Sequence, residues 1–277
     1  MTDRVWLITG ASSGFGRAIA TTALAAGDTV VATARNPESV QDLVDAHPGK
    51  AVAVKLDVTD DATIPAVVAD TLLWFGRIDV LVNNAGVGLV GAVEETTDRQ
   101  LRDLMDLHFF GPATLTRAVL PHMRAAGRGT IVQMTSMGGR FSFPGVGGYS
   151  ATKFALEGLS EALAAEVAEF GIRVLIVEPG AFRTGFAGDK LRQSNPLPAY
   201  ETSVGPVRSG LPGSDGGQPG DPAKAAAAIL SAIDADDPPL RLALGSDAAD
   251  EIDAALRRAR TEFEAWEPVT RGTDHES

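Results

Sequence analysis

Three residues of this 277-residue chain stand at spacings that could move a proton. Tyr149 and Lys153 are four apart, so on a helix they share one face. A free tyrosine keeps its proton up to a pKa near ~10. A neighbouring ammonium favours the phenolate and lowers that value, so the pair is expected to exchange a proton near neutral pH, as general acid or as base. Ser136, thirteen residues upstream, carries a hydroxyl able to bond an oxygen that gains negative charge. A second constellation, Thr9-Gly10-Ala11-Ser12-Ser13-Gly14-Phe15-Gly16, opens the chain. Its glycines permit a tight turn that brings backbone close to a phosphate, and a helix beginning there would offer free N–H groups and a positive dipole end. Alone, such a turn is equally a plain strand-to-helix connection.

The elements that must position these residues alternate regularly. Short apolar runs at 5–8, 29–33, 51–56, 78–82, 130–134 and 172–177 read as strands. Between them lie helical patterns at 14–26, 38–46, 60–75, 98–126 and 149–170, with Gly27, Gly76 and Gly171 as stops and a bend expected near Gly111-Pro112. This alternation of nearly continuous apolar strands with helices predicts an α/β fold, a single Rossmann-type doubly wound parallel sheet with helices on both faces. One domain over 1–277 is expected. Residues 205–222 are rich in Gly and Pro and read as a mobile loop, so that about 183–222 forms a substrate lid. A helix at 222–233, a strand at 240–244 and a terminal helix at 248–265 follow, the last within a C-terminal helical extension over about 246–277.

The glycine spacing is Gly-x-x-x-Gly-x-Gly opened by Thr-Gly, and further motifs follow in order: Asn83-Asn84-Ala85-Gly86, Ser136, Tyr149, Lys153 and Pro179-Gly180-Ala181-Phe182-Arg183-Thr184. Over residues 4–190 the chain resembles the short-chain dehydrogenase/reductase family. The segment Tyr149-Ser150-Ala151-Thr152-Lys153-Phe154-Ala155-Leu156-Glu157-Gly158 is similar to its hydroxysteroid dehydrogenase-like branch. The resemblance implies an enzyme that passes hydride between a nicotinamide dinucleotide and a carbonyl or secondary alcohol. Tyr149 would handle the proton, Ser136 would bond the substrate oxygen, and Lys153 would also hold the nicotinamide ribose. Gly10, Ser12, Ser13, Gly14, Phe15 and Gly16 would cradle the diphosphate. Asp57 and Val58 would meet the adenine. Asn84, Ala85 and Gly86 would line the cleft, and Pro179, Gly180, Phe182 and Thr184 the nicotinamide end. Homodimers or homotetramers built on helices 98–126 and 149–170 are implied as well. One position departs from the pattern. His108 stands where the family carries an Asn that helps hold a water in a proton relay. It could bind that water, relay the proton near its own pKa, or only fill space.

Cofactor choice is read after the second strand. An acid there would accept bonds from the ribose hydroxyls and select NAD. The sequence has Thr33-Ala34-Arg35 instead, so Arg35 is expected to pair with the 2′-phosphate of NADP, with Arg17 as a second candidate; NAD is the lesser alternative. Met137, Phe141, Phe143, Val146, Phe182 and Phe186 suggest an apolar mouth for a hydrophobic ketone or alcohol. Arg140 or Arg183 could meet an acidic group.

Composition removes competing classes. A net charge of −12 argues against nucleic-acid binding, and the absence of cysteine excludes disulfide scaffolds, zinc fingers and thiol nucleophiles. The four histidines, His47, His108, His122 and His275, are scattered without metal-ligand spacing. Met1-Thr2-Asp3-Arg4 leads straight into the first strand, and no run reaches the ~18 apolar residues of a membrane span. A cytoplasmic location with no membrane contact is the expectation. A nucleotide-binding regulator that has lost catalysis, supported only by His108, and a sugar-nucleotide epimerase remain as competing readings.

Overall fold

A computed structural model describes residues 3–275. Its elements run β1 (Val5–Ile8), α1 (Gly14–Ala25), β2 (Thr29–Ala34), α2 (Gln41–Ala46), β3 (Ala51–Lys55), α3 (Ile64–Phe75), β4 (Val80–Asn83), β5 (Gly88–Val90), α4 (Asp98–Met105), α5 (Gly111–Ala126), β6 (Gly129–Met134), α6 (Gly147–Val167), β7 (Ile172–Pro179), β8 (Leu191–Gln193), α7 (Glu201–Gly213), α8 (Pro222–Asp234), β9 (Arg241–Leu244) and α9 (Ser246–Arg271). Seven strands form one sheet in the order β3-β2-β1-β4-β6-β7-β9, every pair parallel. This is the expected doubly wound sheet. The strand order reverses between β1 and β4, and that switch point opens a crevice at the strands' carboxyl ends.

Strand alternation feeds two cores. Trp6 and Ile8 face one side, with Ile19 of α1 and Ile229 of α8. Leu7 faces the other, with Leu115 of α5 and Leu163 of α6. Among the described residues no helix is long and apolar enough to cross a membrane.

Two departures from the sequence reading affect the site. The expected long helix 98–126 is two helices joined by a π-helical turn, Asp106–Phe110, in which the Gly111 N–H bonds the Asp106 carbonyl. Pro112 has no N–H to return to the His108 carbonyl, so the regular ladder cannot run through here. The second departure is in 205–222. Its first half belongs to helix α7, despite Pro206 and Pro212 inside it. Tertiary contacts override composition here. Val204 is buried beside Val90, and Arg208 pairs with the buried Glu95 carboxylate at 2.6 Å and with the Ser194 carbonyl at 2.7 Å. Glu95 also accepts the Ala92 and Leu197 N–H groups, each at 2.7 Å, and these bonds hold its carboxyl below the usual range. This segment is thereby bonded to the stretch after β5, with β8 pairing in parallel to β5.

Candidate active site

The crevice is one cavity of about 580 Å³. At one end lies the glycine turn. Thr9 Oγ1 accepts the Asn84 and Ala85 N–H groups at 2.9 and 3.0 Å, fastening β1 to the turn after β4. Asn84 Nδ2 donates to the Thr9 and Gly10 carbonyls at 2.8 and 3.2 Å. Gly16 is glycine by necessity, because a Cβ there would come within 2.4 Å of Asn84 Nδ2 and of the Gly10 carbonyl. The start of α1 carries no side-chain cap bond and no acid in its first turn. Its orphan N–H groups therefore open on the cavity ready for an anion, so the residues present suit a dinucleotide diphosphate.

Ser12, Ser13, Gly14, Phe15, Asp57, Val58, Ala85, Gly86, Pro179, Gly180, Phe182 and Thr184 all line the cavity, as does Arg35. Phe182 stacks against Phe15 with ring centroids 5.0 Å apart. Asp57 is turned partly inward on itself, accepting the Thr59 N–H and hydroxyl at 3.0 and 2.8 Å. Arg35 is exposed and has no carboxylate partner among the described residues. Arg17 does not join it; it is bonded to Asp42, its Nη1 at 2.9 Å. Arg140 and Arg183 are likewise committed elsewhere, to Glu178 at 2.9 Å and to the Gln218 carbonyl at 2.7 Å, so neither is free for an acidic substrate. Phe141 packs beside Phe143 outside the lining, whereas Met137, Phe143, Val146 and Phe186 line the cavity.

The chemistry-bearing cluster lies at the other end. Ser136 lies two residues past β6 and caps the following turn, its Oγ accepting the Gly138 N–H at 3.0 Å. Tyr149 and Lys153 stand on one face of α6. Phe186 and His108 meet the Tyr149 ring edge-to-face at 5.4 and 5.7 Å. Lys153 Nζ lies 5.7 Å from the ring centroid and donates to the Met134 carbonyl at 2.9 Å. Burial pushes the Tyr149 phenol up to about 12, against a smaller opposite pull from Ser136. Burial pulls Lys153 down to about 8, opposed by the Glu157 carboxylate one turn on. This reverses the expected direction for Tyr149: desolvation of the phenolate outweighs the Ser136 hydrogen bond.

The bonds of His108 favour a positioning role over the proton relay. The Val87 N–H donates to Nε2 at 3.1 Å, so that nitrogen carries no proton. Nδ1 then donates to Thr152 Oγ1 at 2.9 Å, because the Thr152 hydroxyl itself donates to the Tyr149 carbonyl at 2.7 Å. Burial first, then the Lys153 and Arg192 charges, hold the ring far below its ordinary pKa. Neutral, with both nitrogens bonded, His108 ties the turn after β4 to the helix that carries Tyr149. His108→Asn is therefore expected to leave the pH profile of turnover unchanged and to lower stability by ~1–3 kcal/mol, measured by denaturant unfolding. Thr152→Val should act similarly. A displaced pH profile would restore the relay.

Sequence reasoning missed Lys190 and Arg192, which the post-β7 segment brings into the cavity wall, and Glu157 beneath Lys153. Only Glu157 had a signal, its i,i+4 spacing from Lys153.

A glycine turn at the switch point of a parallel sheet, facing a Ser, Tyr and Lys cluster across one cleft, defines a Rossmann-type nucleotide-dependent oxidoreductase. The chain belongs to the short-chain dehydrogenase family, whose model matches residues 4–195. It is 37% identical over 268 residues to an oxidoreductase, BOA17, of Botryotinia fuckeliana, covering 96% of this chain and 98% of that one. A short-chain dehydrogenase structure from Streptomyces avermitilis superposes with a TM-score of 0.95 at 59% identity, over 99% of this chain and 100% of that one. Solved relatives hold either dinucleotide. A metagenomic short-chain oxidoreductase in complex with NADP has a TM-score of 0.61 at 35% identity, over 66% of this chain and 85% of that one. A Burkholderia phymatum relative in complex with NAD shares the fold, with a TM-score of 0.82 at 24% identity over 100% of both chains.

Proposed function

We propose that this enzyme is an NADPH-dependent carbonyl reductase acting on hydrophobic ketones or aldehydes. The carrying observation is one cavity holding Ser136, Tyr149 and Lys153 at one end and the glycine turn with an unpaired Arg35 at the other. The bound dinucleotide supplies the hydride. Tyr149, protonated because burial raises its pKa, donates its proton to the carbonyl oxygen as the carbon accepts hydride. Ser136 donates to the same oxygen and stabilises its developing charge. Lys153, fixed by the Met134 carbonyl, holds the nicotinamide ribose hydroxyls and returns a proton to Tyr149. Met137, Phe143, Val146 and Phe186 exclude water and select an apolar body, in keeping with the hydroxysteroid dehydrogenase-like segment on α6. Arg35 meets the 2′-phosphate. Asp57 and Val58 take the adenine, and Thr184 the carboxamide. Self-association as a homodimer or homotetramer is placed on the α4–α5 and α6 faces, where Phe110 and Phe154 are 50% and 46% exposed.

The test is oxidation of NADPH, and of NADH in parallel, with a panel of ketones and aldehydes. Binding without turnover on any of them would favour the regulator. A pH series adds a sharper result. Tyr149 keeps its proton well past neutrality, so the alkaline limb of reduction reports the loss of charge on Lys153. The rate is expected to fall as pH rises through about 8. Glu157→Gln removes the carboxylate that raises Lys153 and should move this limb to lower pH. A limb above pH ~10, the ordinary lysine value, would contradict the assignment.

A further inference from the structure

The segment joining β7 to β8 carries one more charge into the cleft. Thr184 lies over the glycine turn, so close that a Cβ on Gly14 would stand 3.1 Å from it. Six residues on, Lys190 is fixed by its backbone on both sides. Its N–H donates to the Gly185 carbonyl at 3.0 Å, and its carbonyl accepts the Gly88 N–H at 2.9 Å. Lys190 is half-buried and lines the cavity that Arg35 also lines. Burial, and next the Arg35 charge, pull the Lys190 ammonium below its ordinary pKa, so the two cations feel each other. Neither has a side-chain hydrogen bond or a carboxylate partner among the described residues, whereas Arg17, Arg140, Arg208 and Arg241 are all paired. Two like charges lining one cavity, one of them half removed from water, repel. An anion between them turns that repulsion into attraction.

We propose that Lys190 is the second cation of a phosphate site, closing with Arg35 on a phosphate group of the dinucleotide. This rests on the cofactor reading above and adds a residue to it. Leu191, the next residue, opens β8 and lines the cavity with Phe186, which touches the Tyr149 ring. The phosphate contact therefore also fixes the wall that receives the substrate.

The experiment is direct binding of NADPH and of NADH to the intact protein, followed by nucleotide fluorescence, with Lys190→Met and Lys190→Arg. Lys190→Met is expected to raise the NADPH Kd about tenfold, and Lys190→Arg to recover most of it. Weakening confined to NADPH assigns the 2′-phosphate; equal weakening of both assigns the diphosphate. The first outcome supports the site shared with Arg35; the second moves Lys190 to the diphosphate and overturns the sharing. Unchanged affinities in Lys190→Met, with both dinucleotides binding the unaltered protein, overturn the proposal alone. Failure of the unaltered protein to bind either dinucleotide overturns it together with the cofactor reading. The melting temperature of Lys190→Met without nucleotide should match that of the unaltered protein, because Lys190 has no side-chain partner to lose.

Discussion

Tyr149→Phe is expected to lower kcat/KM for carbonyl reduction by about two to four orders of magnitude and to leave dinucleotide affinity nearly unchanged. The substitution removes one oxygen and keeps the ring. The edge contacts with His108 and Phe186 at 5.7 and 5.4 Å are therefore retained, and the fold has little to lose. The proton donor is lost outright. With a phenol pushed up to about 12, that donor is fully protonated at neutral pH, the state carbonyl reduction requires. Ser136 still faces the substrate oxygen in the variant, and a hydroxyl that stabilises charge without delivering a proton supplies the residual rate. Equal turnover in the variant would remove Tyr149 from the mechanism.

How much of this was legible in the sequence follows from which interactions are local. The strands of the central sheet are buried on both faces, so β1, β2 and β4 show as unbroken apolar runs. β5 and β8 are three residues each and pair only with one another, Gly88 opposite Leu191. No local pattern announces a partner a hundred residues away. Helix α7 was hidden for a related reason. Its Gly and Pro content argues for a loop, and the contacts that hold it helical, Arg208 on Glu95 among them, are long-range. At the site, Tyr149 and Lys153 are legible because helical spacing fixes their shared face. The direction of the Tyr149 shift is not, since desolvation depends on what else surrounds the ring. The arginines show the same limit. Arg17, Arg140 and Arg183 look free in one dimension and are each claimed by a neighbour in three, while Lys190 has no motif and reaches the cleft through the path of a loop.

Arg35→Asp is expected to invert the cofactor preference, raising the NADPH Kd about a hundredfold while NADH binding is kept or tightened. β2 ends at Ala34, so the next side chain opens on the cavity wall, and the guanidinium there has no counter-charge of its own. Losing a charge-assisted contact costs about 1.5–3 kcal/mol, and a carboxylate facing a phosphate adds repulsion, so a hundredfold, or ~2.7 kcal/mol, is a modest sum. With NADH the same carboxylate can accept bonds from the ribose hydroxyls. Lys190 makes the prediction more specific. In the unaltered protein it is repelled by Arg35, and in the variant it would face an opposite charge, so its pKa should return upward. Lys190→Met in the Arg35→Asp background should then cost NADPH far less than it costs in the unaltered protein, because the ammonium is already neutralised. A ratio of NADPH to NADH affinity that Arg35→Asp leaves unmoved would take the 2′-phosphate away from Arg35. Asp57, a carboxylate that also lines the cavity, would then be left to read the ribose in favour of NAD.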